Sequence, residues 1–201
     1  MKKISIIDFG TSNLKSINAA FNLNNIEPII TNSPKIIESS DAVVLPGVGA
    51  FSQSMNFLRK HKIDKAIIKV IKKDTPFLGI CLGMQLLFES SEEFIHCSGL
   101  GVLNGKIKNL KRFETKNKMI VPNTGWHKLN KNQKFKKKNI LNLKNNKLYY
   151  FTHSFFAEPL NKSIISSTIK INGVEVCSSI QKKNIFAFQF HPEKSGPGGL
   201  D

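Results

Sequence analysis

One cysteine of this chain stands where covalent chemistry would need it. The segment Phe77-Leu78-Gly79-Ile80-Cys81-Leu82-Gly83-Met84-Gln85 runs from an apolar stretch through Gly-x-Cys-x-Gly into residues with helical spacing. That is the strand-to-helix elbow of a nucleophile, with sulfur in place of a serine hydroxyl. The flanking glycines permit a sharp turn and close backbone packing, so the cysteine is expected at a helix N-terminus, where the dipole favours thiolate over thiol. The Leu82 amide, next along the chain, would face a developing oxyanion. A buried structural cysteine in a tight turn is the alternative reading of the same residues. Cys97 lies in a polar stretch and Cys177 alternates within a strand-like run, so both are read as structural.

A thiolate nucleophile works with a base and with a third group that orients the base. Histidines stand at positions 61, 96, 127, 153 and 191. His191 is singled out because it ends the apolar run 185–190 and is followed by Pro192-Glu193. The proline stiffens the exit, and the Glu193 carboxylate two residues on is close enough to orient the ring. Cys81, His191 and Glu193 are therefore the predicted catalytic residues. Pro46-Gly47-Val48-Gly49 closes another apolar run, and its glycines make reorientation of a peptide easy. An ordinary turn at a strand end is the competing reading of that strip.

Something must hold these residues together, and the pattern of the chain says what. Residues 2–9, 27–31, 41–45 and 76–80 are short runs of buried-strand character. Between them lie helical spacings: from a predicted N-cap at Ser12 to about residue 23, then segments through residue 73, and 83–91. Strand and helix in alternation imply a mostly parallel central sheet with flanking helices. After Gly99 the texture changes to β-branched runs at 105–110, 148–155, 163–171, 174–180 and 185–190, read as added strands, some antiparallel. Asn172-Gly173 reads as a hairpin turn between two of them. With no internal repeat or convincing linker, the expectation is a single α/β domain over residues 1–201. Gly198-Gly199-Leu200-Asp201 reads as the opening of a closing helix.

Composition sets outer bounds. The chain has 201 residues, 40% of them hydrophobic, enough for a sizeable core. No run approaches the roughly 20 apolar residues of a membrane helix. Asp8 interrupts the first apolar stretch too early for an export signal, so a buried first strand and a cytoplasmic protein are expected, without a membrane. Three cysteines without a CxxC argue against a disulfide framework or a zinc site, and no metal or cofactor is expected. The formal charge of +16 invites a nucleic-acid reading. However, the lysines are spread over 106–118, 128–138 and beyond, and Arg59 and Arg112 are the only arginines. Arginine leads in bidentate phosphate and base recognition, so a solvated lysine-rich surface is the expectation and no nucleic acid is expected as a partner.

The elbow and the His-x-Glu together resemble the class I glutamine amidotransferases, and the likeness runs from Ile4 to the last residues. It implies the fold of that family, glutamine as substrate, a thioester on Cys81 and released ammonia. Within the family, four segments are most similar to the glutaminase subunits of imidazole glycerol phosphate synthases: Asp8-Phe9-Gly10 with Asn13-Leu14, Pro46 to Phe51, Gly83 to Glu89, and Gln189 to Gly196. The resemblance implies an oxyanion strip at Gly47, Val48 and Gly49 and glutamine recognition by Leu82, Gln85, Glu93, Ser154 and Phe155. It also implies a heterodimer with a (β/α)8-barrel cyclase of histidine biosynthesis, met by Asn13, Trp126, Tyr150 and Lys194. Some positions depart from the family pattern. Pro122-Asn123-Thr124-Gly125-Trp126-His127 stands where Pro-His-x-Gly-Trp-Asn is usual, Phe155 replaces a tyrosine and Ser12 a glycine. Because the first departure lies on the partner side, a paralogous glutaminase feeding an amidotransferase of bacterial surface sugars is the alternative. A solitary cysteine hydrolase of the same fold and a basic nucleic-acid-binding module are the readings from other classes.

Overall fold

The computed structural model describes residues 2–10, 13–93, 97–114, 119–132 and 147–200. Ser12, His96, Asp201 and the lysines at 115–118 and 133–144 lie outside the described residues. In chain order the first half contains β1 (Ile4–Ile7), α1 (Leu14–Asn22), β2 (Ile29–Thr31), α2 (Pro34–Glu38), β3 (Ala42–Leu45), α3 (Phe51–Lys60), α4 (Ile63–Lys72), β4 (Phe77–Ile80) and α5 (Leu82–Leu86). Then follow β5 (Phe88–Ser91), β6 (Cys97–Ser98), β7 (Leu103–Asn109), β8 (Asn123–Lys128), β9 (Asn130–Lys131), β10 (Leu148–His153) and β11 (Phe155–Pro159). The chain closes with β12 (Ile165–Ile171), β13 (Val174–Lys182), β14 (Ile185–Phe188) and α6 (Pro197–Leu200).

The main sheet has the order β2-β1-β3-β4-β14-β13-β12-β9. Its first five strands pair in parallel, and β13, β12 and β9 extend it antiparallel. This is the α/β architecture the pattern implied, with a mixed and largely parallel sheet. Side chains alternate across it as a two-residue period requires. Ile6 and Val44 face a cluster with Ile17 of α1, whereas Ile7, Val43 and Leu45 face α2, α3 and α4 on the other side. Helix α4 buries Ile63, Ala66, Ile67 and Val70, a spacing of three and four that keeps them on one stripe. Each fully buried aliphatic side chain there is worth about 1.5–3 kcal/mol against exposure.

Two smaller sheets stand beside the main one: β11-β7-β5-β6, and the antiparallel ribbon β10-β8. Here the local expectations need correction. The predicted helix over 83–91 stops after Leu86, because Phe88-Glu89-Ser90-Ser91 pairs in parallel with β7 as a strand with Glu89 facing out. The apolar run Leu86-Leu87-Phe88 spans both elements and hides the boundary. Helix α1 is capped by Asn13, whose side chain accepts from the Ser16 amide at 3.4 Å; the expected cap, Ser12, lies outside the described residues. Residues 148–155 form two strands broken at Ser154, and the short helix α2 was not foreseen. The hairpin reading holds: Asn172 and Gly173 both have positive φ, at 48° and 79°, between β12 and β13.

Candidate active site

Cys81 lies between β4 and α5 with φ 52° and ψ −107°, a left-handed conformation that a non-glycine residue adopts only when its surroundings impose it. Those surroundings are visible. The Cys81 amide donates to the Phe188 carbonyl at 2.7 Å, and the Met84 and Gln85 amides both return to the Cys81 carbonyl. The glycines on either side are required by close approach. A methyl group on Gly83 would stand 1.8 Å from the Leu45 carbonyl oxygen, and one on Gly79 would stand 3.0 Å from the Met84 nitrogen. Helix α5 is therefore pressed onto β3 and β4, and the sulfur is driven outward at the C-terminal end of the parallel strands. That is where ligand sites of open α/β sheets form.

His191 lies three residues beyond the end of β14 and is 2% exposed. Its Nδ1 lies 2.8 Å from Glu193 Oε1, and both side chains are buried. Among the described residues, Glu193 Oε2 has no hydrogen-bond partner, and the ring nitrogen turned away from Glu193, His191 Nε2, is hydrogen-bonded to no nitrogen or oxygen and is left to Cys81. Burial pulls the imidazole pKa down, but hydrogen bonding and charge interactions with Cys81 and Glu193 more than offset this, and the net shift is upward, to about 9. The turn carrying His191 is clamped by Tyr150. The His191 amide donates to the Tyr150 carbonyl at 2.9 Å, and Ser195 Oγ donates to the His191 carbonyl while accepting from the Tyr150 amide. The structure thus brings the predicted triad together, with the His191 ring in contact with both Cys81 and Glu193.

A cavity of about 360 Å³ opens over Cys81. Val48, Gly49, Leu82, Gln85, Glu93, Ser154 and Phe155 all line it, as do Pro122, Thr152 and His153. Gly47 sits just behind, and its carbonyl accepts the Leu82 amide at 3.3 Å. The donor expected to face an oxyanion is thus occupied, and Gly49, with φ 101°, lies two residues away in a conformation reserved for glycine. Glu93 uses Oε2 to accept from the Phe51 amide at 2.6 Å, capping α3 at the point where Ala50 offers no side-chain cap. Gln85 donates Nε2 to the Phe155 carbonyl and to Gln189 Oε1, both at 3.0 Å. A larger cavity of about 530 Å³, lined by Lys131 and Lys162 among others, holds none of the predicted residues.

The predicted partner residues also gather. Trp126 is 51% exposed, and its ring meets Tyr150 edge-on with centroids 5.6 Å apart. Lys194 Nζ lies 6.0 Å from the centroid of the Tyr150 ring. Asn13 is exposed at the start of α1, a helix that packs beside the turn Pro192–Lys194. Cys97 is half-buried, while Cys177 is buried and its pKa is pushed up to about 12 by burial, which leaves it inert. Residue patterns missed Gln189, Ser195 and Thr152 as parts of the site. Gln189 Nε2 lies 3.7 Å from the Cys81 sulfur and is fully buried in the run Phe186-Ala187-Phe188-Gln189-Phe190. A lone polar residue in such a run is the signal that could have found it.

Comparison with known proteins agrees with this geometry. The family described as glutamine amidotransferase class-I matches residues 5–199. The chain is 41% identical to "Imidazole glycerol phosphate synthase subunit HisH 1" of Methanococcus maripaludis, over 98% of this chain and 95% of that protein. It is 39% identical to the subunit HisH of Geobacter sulfurreducens, over 100% of this chain and 95% of the relative. The fold is similar to that of a crystallised glutamine amidotransferase, with TM-score 0.72 at 14% identity, covering 98% of this chain and 94% of the other. A putative GMP synthase protein of Thermoplasma acidophilum gives 0.70 at 18% identity, with coverages of 100% and 89%. With its elbow cysteine, its buried His-x-Glu pair and a match along nearly its whole length, this chain belongs to the class-I glutamine amidotransferase family.

Proposed function

We propose that this chain is the glutaminase subunit of an imidazole glycerol phosphate synthase, releasing ammonia from glutamine for a (β/α)8-barrel cyclase partner. The observation that carries the reading is Cys81 in a strained elbow, in contact with the ring of a buried His191–Glu193 pair. Relatives named for that synthase, at 39–41% identity, support the histidine-pathway acceptor over a surface-sugar one.

In this reading glutamine enters the cavity with its carboxamide over the sulfur. Cys81 Sγ attacks the carboxamide carbon, and the nitrogen leaves as ammonia with the proton held on His191 Nε2. That step leaves a thioester and a neutral imidazole. His191 then takes a proton from water, the hydroxide attacks the thioester, and glutamate departs as Cys81 regains its thiolate. Glu193 keeps the ring in one tautomer and stabilises its charge through Nδ1. The Leu82 amide is bonded to Gly47, so the oxyanion site is completed only when the 47–49 strip reorients. Docking of the partner against Trp126, Tyr150, Lys194 and Asn13 drives that change.

The test is glutamine hydrolysis with and without the cyclase subunit of the same organism and its nucleotide ligand. Low turnover alone and strong stimulation by the cyclase are expected, with Cys81→Ser folded but inactive under both conditions. Substantial turnover by Cys81→Ser would remove the nucleophile from the scheme. An unstimulated wild-type enzyme would remove the partner.

A further inference from the structure

The ribbon of β8 and β10 carries a row of polar side chains on its inward face that the reaction scheme does not use. His153 is buried, and its Nδ1 lies 2.8 Å from the Phe155 carbonyl oxygen. A carbonyl only accepts, so Nδ1 bears the proton. Burial, partly offset by that bond and reinforced by His127 and His191, depresses the ring's pKa to about 4, so Nε2 is an acceptor at neutral pH. Asn123 must therefore present Nδ2 to it, at 3.1 Å, and that orientation turns Asn123 Oδ1 toward His127 Nε2, also at 3.1 Å, as an acceptor. With His153 neutral, each link fixes the next.

The Phe155 carbonyl takes two donors, His153 Nδ1 from one side and Gln85 Nε2 from the other. Gln85 gives its second N–H to Gln189 Oε1. With both donors committed, the polar atom Gln85 retains for the cavity it lines is Oε1, an acceptor. We propose that Asn123, His127 and His153 are positioning residues for the amino-acid end of the substrate: their hydrogen-bonded chain holds the Phe155 carbonyl, and through it the Gln85 amide, with Oε1 offered to an α-ammonium group. The inference rests on the glutaminase reading above and adds His153, which lines the cavity over Cys81, together with its partners Asn123 and His127. His127 also packs its ring edge-on against Phe151, with centroids 5.3 Å apart, so ring and donor can be separated by substitution.

The experiment is inactivation of Cys81 by 6-diazo-5-oxonorleucine, an electrophile with an α-amino-acid head, scored as KI and kinact. Iodoacetamide, which lacks that head, and the thermal midpoint serve as controls. His127→Phe keeps the ring and removes the donor; it should raise KI about fivefold, the worth of one ordinary hydrogen bond, with kinact and iodoacetamide alkylation within about twofold of wild type. His127→Gln returns an N–H donor and should restore KI. Asn123→Leu should raise KI at least as much as His127→Phe, and the double variant no further than Asn123→Leu alone, since one break severs the chain. Unchanged KI in both single variants, or effects that multiply in the double variant, would overturn the inference. Failure of the underlying reading looks different: wild-type protein would show no saturable inactivation and no protection by glutamine, and the inference would fall with it.

Discussion

Glu193→Gln isolates the charge of the proposed triad from its shape. The side chains are nearly isosteric, and His191 Nδ1 lies 2.8 Å from the oxygen that the amide carbonyl would replace. In one amide orientation that carbonyl still accepts from Nδ1, and the imidazole keeps its tautomer. The new NH2 then occupies the place of Glu193 Oε2, which is buried and without a partner, and goes unsatisfied at a cost of about 1–3 kcal/mol. In the other orientation NH2 faces Nδ1, the ring proton moves to Nε2, and the base is lost in its resting state. Either way the charge-assisted bond disappears, a loss of about 1.5–3 kcal/mol. If the bond matters only as the imidazolium forms, kcat/KM for glutamine falls by roughly 10- to 160-fold. The assay is ammonia release, coupled to a dehydrogenase, in the presence of the synthase partner. The His191 pKa, followed by NMR, should fall from its raised position because one of the two charges holding it there is gone. A variant within twofold of wild type in kcat/KM, with that pKa unmoved, would refute the assignment of Glu193 as the orienting group.

Two other perturbations test the frame around the dyad. Gly83→Ala places a methyl group 1.8 Å from the Leu45 carbonyl oxygen, and backbone on both sides leaves no flexible side chain to yield. Destabilisation of about 2–3 kcal/mol is expected, visible as a lowered urea midpoint; an unchanged midpoint would mean that α5 is not pressed onto β3. His191 has a folded-state pKa raised to about 9, with burial opposing and the Cys81 and Glu193 charges favouring the cation. Its contribution to stability is thus fully present below the unfolded value of about 6.5 and is lost as pH rises through about 9. Thermal midpoints measured from pH 6 to 9.5 should fall more steeply for wild type than for His191→Gln, and parallel curves would contradict the shift.

The sheet was legible because β1, β3 and β4 are apolar runs between helical spacings, and burial on both faces demands that pattern. The proposed triad was legible for a different reason. Nucleophile and base each sit at the C-terminal end of a central strand, and strand ends are marked by glycine and proline. The boundary at Leu87 was not legible, since the buried run Leu86-Leu87-Phe88 serves a helix and a strand equally well. Nor was the contact between the Leu82 amide and Gly47, which depends on how β3 and α5 meet across 35 residues of chain separation. Asn123, His127 and His153 look like unrelated polar residues in sequence. Only the antiparallel register, with Asn123 opposite His153 and Trp126 opposite Tyr150, puts them on common faces.

That register gives the ribbon two distinct sides. Trp126, Thr124, Tyr150 and Thr152 share the outward side, where Thr124 and Thr152 join hydroxyls at 3.2 Å and Trp126 lies against Tyr150. Asn123, His127 and His153 share the inward side with Phe151. The backbone of β10 meanwhile reaches both halves of the site. The Tyr150 carbonyl and amide clamp the turn that carries His191, and two residues on, the Thr152 carbonyl lies 4.0 Å from the Cys81 sulfur. A strand is stiff along its length at the scale of three residues, so Tyr150 cannot shift without carrying Thr152 and His153 with it. In the proposed function, contact of a partner with the exposed Trp126–Tyr150 pair would therefore bear on the base, on the region above the sulfur and on the Phe155 carbonyl through one strand. If the proposed partner gates ammonia release, such a common lever suits the task, because a base or a binding strip moved alone would leave the other half of the site competent.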